Sequence, residues 1–67
     1  MGKFMYDRND GTTIAVDTDD LDLADIVIAE TLSKAEAIEK VSEIGFTRGK
    51  AIIIVNAALR RQGKFVA

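Results

Sequence analysis

Ser33-Lys34-Ala35-Glu36-Ala37-Ile38-Glu39-Lys40-Val41-Ser42-Glu43-Ile44-Gly45-Phe46-Thr47-Arg48-Gly49-Lys50-Ala51 is the stretch that decides the fold. Ser33 and Glu36 read as a capping box, in which hydroxyl and carboxylate each satisfy a free amide of a first helical turn. Ala37, Val41 and Ile44 then recur as one apolar stripe, so the pattern predicts a helix over 34–44. Gly45 stops it in the left-handed conformation that glycine adopts without penalty. Phe46 covers the corner, and Thr47 caps a following helix from Arg48. The result is two helices joined by a short glycine-containing turn.

Downstream, the second of these helices is expected to run to about Gln62 and to end at Gly63, with Lys64-Phe65-Val66 returning as a short strand. Ile52-Ile53-Ile54-Val55 has poor helix propensity and reads equally as a buried strand, whereas Ala57-Ala58-Leu59-Arg60-Arg61 continues as good helix formers. On a helical wheel Ala51, Ile54, Val55 and Ala58 share one side, and Gly49, Ile53, Asn56 and Arg60 fall on the opposite stripe within about 60°. That opposite stripe is the candidate for function.

Upstream, Phe4-Met5-Tyr6 and Thr12-Thr13-Ile14-Ala15-Val16 flank Asn9-Asp10-Gly11, a hairpin signal because Asp-Gly supplies the positive φ angles of tight turns. Asp17 to Asp20 are expected to cap a helix over about 21–31, with Leu21, Ala24, Ile28 and Leu32 as its inward face. Ile26 to Ala29 competes as a strand, being β-branched and apolar on both faces. These elements predict an α+β fold in one domain, 1–67: an N-terminal hairpin packed on three short helices, the last two a helix-turn-helix.

A chain of 67 residues sits near the size at which one core barely offsets chain entropy. It contains no Cys and no His, so disulfides and the usual zinc sites are closed to it, and a second subunit is the favoured source of further buried area. With 48% hydrophobic residues it has aliphatic surface for a homodimer, and at least one of Ile52 to Val55 is exposed in any monomer. The longest apolar run, Ala51 to Val55, is far too short to cross a bilayer, and the N-terminus lacks a signal-peptide core. A soluble cytoplasmic protein is the expectation.

The charges are sorted by sign. Residues 1–32 carry 2 basic and 8 acidic side chains, a balance of −6, and residues 33–67 carry 7 basic and 3 acidic, a balance of +4. Such a dipole suits a basic face for a polyanion, although an acidic segment can equally neutralise a basic one within the fold. Catalysis has little material here, since the common nucleophile and base pairs need Cys or His, and no enzyme activity or cofactor is expected. Asp17-Thr18-Asp19-Asp20-Leu21-Asp22 superficially follows a calcium loop, but Asp22 stands at the sharp-turn glycine and Ile28 at the bidentate glutamate. A helix start rich in Asp accounts for it better than a metal site does.

The run Ala37 to Asn56 resembles the helix-turn-helix of bacterial and phage DNA-binding proteins: Ile44 before the turn, Gly45 in it, Phe46 and Thr47 opening the second helix, Ala51 and Ile54 facing inward. It departs at Lys40, where that family prefers an apolar residue, and at Val41, where it prefers Ala. Leu59-Arg60-Arg61-Gln62-Gly63-Lys64-Phe65-Val66 looks like the exit of a winged-helix recognition helix into its wing. The resemblance implies double-stranded DNA as partner, with Arg48, Gly49, Lys50, Ile53 and Asn56 near base edges and Arg60, Arg61 and Lys64 on phosphates. Thr47 and the free amides beside it are suited to phosphate on physical grounds alone.

Two other resemblances compete. Gly45-Phe46-Thr47-Arg48 with Ala51-Ile52 looks like the start of the second helix in ribbon-helix-helix repressors, which places a strand at Ile26 to Ala29. Ile44-Gly45-Phe46-Thr47 with Ala51 looks like the loop of ubiquitin-associated domains, which implies a protein partner on Ile44 and Phe46 rimmed by Arg48. The reading carried forward is a small DNA-binding regulator, dimeric and acting by occupancy of a site. Its alternative is a protein-interaction module, an inhibitor or adaptor whose acidic N-terminal half is the working face.

Overall fold

Lys3–Asp7 (β1) and Thr13–Asp17 (β2) pair antiparallel in the register Lys3 with Asp17 through Asp7 with Thr13. The alternation of side chains turns Phe4, Tyr6, Ile14 and Val16 inward and leaves Lys3, Met5, Asp7, Thr13, Ala15 and Asp17 exposed. The computed structural model describes residues 2–8 and 10–63. At the turn the Arg8 N–H donates to the Thr12 carbonyl at 2.8 Å and the Gly11 N–H to the Arg8 carbonyl at 3.2 Å. Gly11 has φ +89°, as the Asp-Gly signal requires. Asp10 locks the same turn by accepting from both the hydroxyl and the N–H of Thr12, and these bonds hold its carboxyl below the ordinary aspartate range.

Three helices follow: Thr18–Glu30 (α1), Lys34–Ile44 (α2) and Arg48–Arg61 (α3). The fold is thus α+β, a hairpin and then three helices, as the pattern predicts. The helix α3 is the centrepiece, packed against α1, α2 and β1. Its Ala51, Ile54, Val55, Ala57 and Ala58 are all within 1% of complete burial, and Leu21, Ala24, Val41 and Ala37 meet them from the other two helices. Of the thirteen buried apolar side chains described, five are alanine, so the helices approach closely around a core of small volume. No helix among the described residues is long and apolar enough to cross a membrane.

Several boundaries differ from expectation. The first helix begins at Thr18, directly after β2, because the Thr18 N–H still donates to the Gly2 carbonyl as a continuation of the hairpin ladder. Asp17 occupies the N-cap position, yet its carboxylate makes no cap bond; it is taken by the Lys3 ammonium across the sheet. The Asp17–Asp22 run is therefore a strand end and a helical first turn. The same helix stops at Glu30, and the N–H and hydroxyl of Thr31 both fold back on the Ile28 carbonyl at 3.3 Å. Leu32 consequently lies outside the helix and is 99% exposed, while Val27 takes the inward place assigned to it.

The segments Ile26 to Ala29 and Ile52 to Val55 are both helical. Helix propensity disfavours β-branched residues by only about 0.7 kcal/mol at most, whereas burying a side chain such as Val27, Ile54 or Val55 contributes about 1.5–3 kcal/mol, so packing decides. This removes the strand on which the ribbon-helix-helix reading depends. The expected short strand at Lys64 to Val66 lies outside the described residues.

Candidate nucleic-acid interface

The α2–turn–α3 unit is built by local bonds that the sequence specifies. The Glu36 N–H donates to Ser33 Oγ at 3.1 Å, and the Glu36 carboxylate reaches back to the N–H of Leu32, one residue earlier than a standard capping box. Gly45 takes φ +136°, outside the range of L side chains, and its N–H donates to the Ser42 carbonyl at 3.2 Å. Phe46 packs on the core, with the Lys50 ammonium 5.7 Å from its ring centre. Thr47 Oγ accepts from the Lys50 N–H at 3.2 Å, which fixes the start of α3. Phe46 is accordingly a structural contact, and Ile44, at 52% exposure, is turned further outward than the predicted apolar stripe allows.

Along α3 the exposed side carries Arg48, Gly49 and Ile52, with Asn56 half-buried and Arg60 exposed further on. Ile53 belongs to this stripe by position but is half-buried against the core beside the hairpin. Tyr6, Arg8 and Asp10 from the hairpin join Ile52, Ile53 and Asn56 in lining one open groove. The Arg60 guanidinium lies 5.4 Å from the centre of the Tyr6 ring, so the hairpin braces the C-terminal half of α3. Arg8 thus lines the groove, and Arg60 stands against Tyr6, another of its lining residues. Asp10, 3.9 Å from Arg8, is the acidic side chain lining it.

The other candidate cations are differently placed. Lys50 shares a second cleft with Lys3, Asp17 and Asp20 between the strand ends and α3. The Lys3 hydrogen bond, with Lys50 adding a weaker attraction, holds the Asp17 carboxyl below the ordinary aspartate range. Arg61 is turned inward: its guanidinium donates to Asp25 at 2.6 Å and to Asp22 at 3.0 Å, and Gln62 donates to the second oxygen of Asp25. These carboxylates raise the Arg61 pKa further and tie the end of α3 to α1. Lys64 lies outside the described residues.

The geometry therefore gathers Thr47, Arg48, Gly49, Asn56 and Arg60 on or beside one exposed face and separates Arg61 from them. Sequence reasoning missed Ile52, Tyr6 and Arg8. Ile52 could have been found from the wheel, since it lies about 60° from the Gly49 position on the side of Arg48. Tyr6 and Arg8 could not, because only the docking of the hairpin brings them to α3. The chain matches no protein-family model, and no curated protein and no solved structure matches it.

Proposed function

We propose that the protein binds double-stranded DNA, presenting the exposed face of α3 to the major groove and acting by occupancy, without chemistry. The observation that carries this reading is the face itself. A helix fixed on three sides by α1, α2 and the hairpin leaves open a stripe with Arg48, Gly49, Ile52, Asn56 and Arg60, and no residue of that helix is acidic. Arg and Asn are the side chains whose paired hydrogen-bonding groups match guanine and adenine edges, Gly49 lets the backbone approach, and Ile52 suits a thymine methyl. Arg8 on the hairpin and Arg60 beside Tyr6 supply the positive charge for phosphates flanking the groove.

The experiment is a fluorescence-anisotropy titration with mixed-sequence duplex DNA at low and moderate salt. Binding that weakens steeply with salt supports the reading, and Asn56→Ala and Arg48→Ala should each reduce it while leaving the fold intact by circular dichroism. Absence of binding at low salt would overturn it.

A further inference from the structure

A third groove, with no hairpin residue in its lining, lies between α1 and α2. Val27 and Thr31 from α1 and Ile44 from α2 line it, and Glu30, Lys40 and Glu43 stand around them. Ile26, one turn before Glu30 on α1, is 59% exposed, and Ile44 is 52% exposed. We infer that this groove is the contact surface for a second copy of the chain, related to the first by a twofold axis.

Charge pattern selects the occupant. Glu30, Lys40 and Glu43 take part in no ion pair among the described residues, although they surround one small apolar floor. A surface bearing both signs around an apolar centre is complementary to itself: the twofold sets Lys40 of each copy against the two glutamates of the other and closes Ile26 and Ile44 over each other. Two carboxylates at the rim make the groove unsuitable for a polyanion, and no residue of α3 is among those that line it. The need is also visible in the core, where the largest fully buried side chains are four, Leu21, Ile54, Val41 and Val55, with alanines between them. A half-interface of about 800 Å² is typical of stable complexes. That is under a fifth of this chain's 4387 Å² of accessible surface.

Sedimentation equilibrium at micromolar concentration tests the inference. The wild-type protein should sediment at twice 7.3 kDa. Lys40→Glu, an exposed substitution, should weaken the dimer at least tenfold, and so should Ile44→Ser. Mixing Lys40→Glu protein with a Glu30→Lys, Glu43→Lys protein should restore a dimer containing one of each, detectable by labelling one partner. Far-UV circular dichroism establishes that each variant is folded, and if Ile44→Ser is not, the charge-swapped pair still decides. A wild-type species of 7.3 kDa, or a dimer indifferent to Lys40→Glu, overturns the inference. Neither result depends on whether DNA binds.

Discussion

Arg61 offers the sharpest separation between a cation that holds the fold and one that is free for a polyanion. Its guanidinium is shared between Asp25 and Asp22, and its side chain is 28% exposed, against 32% for Asp25 and 68% for Asp22. The pair with Asp22 is largely screened by solvent, so most of the effect comes from Asp25 and from the aliphatic stem. Arg61→Ala should therefore cost about 1 kcal/mol, which for a domain of this size lowers the melting temperature by about 4–8 °C. Arg48→Ala, on an exposed residue without an ion pair among those described, should leave it within about 4 °C, since surface changes of this kind stay within about 0.5 kcal/mol.

DNA affinity should show the reverse order. With Arg8 and Arg60 neutralising phosphates, the logarithm of affinity falls with the logarithm of salt at a slope of about −1.8, or about 12-fold between about 50 and 200 mM. Arg60→Ala should flatten that slope by about 0.9, and Arg61→Ala should leave it unchanged. Differential scanning calorimetry and anisotropy titrations on the same preparations read both quantities. An Arg61→Ala protein with an unchanged melting temperature and a flatter slope would show that Arg61 leaves its carboxylates for DNA, and the strut assignment would fall.

Leu21→Ala empties a fully buried site and should cost about 3–5 kcal/mol, against a total of about 3–10 kcal/mol for a chain of this length, so urea should unfold it at far lower concentration, with little folded baseline. Gly45→Ala meets no steric obstacle but forces an L residue to φ +136°, and its urea midpoint should fall by the equivalent of about 1–2 kcal/mol. Gly49→Ala also meets open space, in a helical conformation, and should instead stabilise by about 0.5–1 kcal/mol while weakening DNA binding; unaltered DNA affinity would remove Gly49 from the interface. Asp10 and Asp17 hold protons more weakly folded than unfolded, so as pH falls the unfolded chain takes them up first. The stability they contribute is full above about pH 4 and is lost as pH drops through their lowered values; Asp17→Asn should therefore lessen the difference between urea midpoints at about pH 6 and about pH 3.

The elements legible in the sequence were those with a short-range chemical signature. Ser33 with Glu36, Gly45 and Thr47 set the limits of α2 and the start of α3 because each acts on amides and carbonyls within four residues of itself. The hairpin was legible for the same reason, through Asp10 and Gly11. The start of α1 was not, because the group expected to cap it answers to a lysine fourteen positions away in the chain: Lys3 takes the Asp17 carboxylate, and the helix opens straight from the strand. Leu32 fitted a helical spacing that the chain interrupts two residues earlier, since Ser33 was already the cap of the next helix.

The charge dipole shows the same division on a larger scale. Its sum predicts attraction between the two halves of the chain or toward a polyanion, but a sum does not say which cation goes where. In the folded chain Lys3 and Arg61 are bound to carboxylates of the acidic half, Lys50 stands near Asp17, and Arg48 and Arg60 remain on the exposed side of α3. What separates Arg60 from Arg61 is one residue, about 100° of helical rotation. That rotation turns Arg60 toward the hairpin and Tyr6 and turns Arg61 toward α1, so two adjacent arginines with the same local sequence have opposite employment. A wheel gives the angle between them. Only the positions of the hairpin and α1 around α3 determine which of the two is left for a partner.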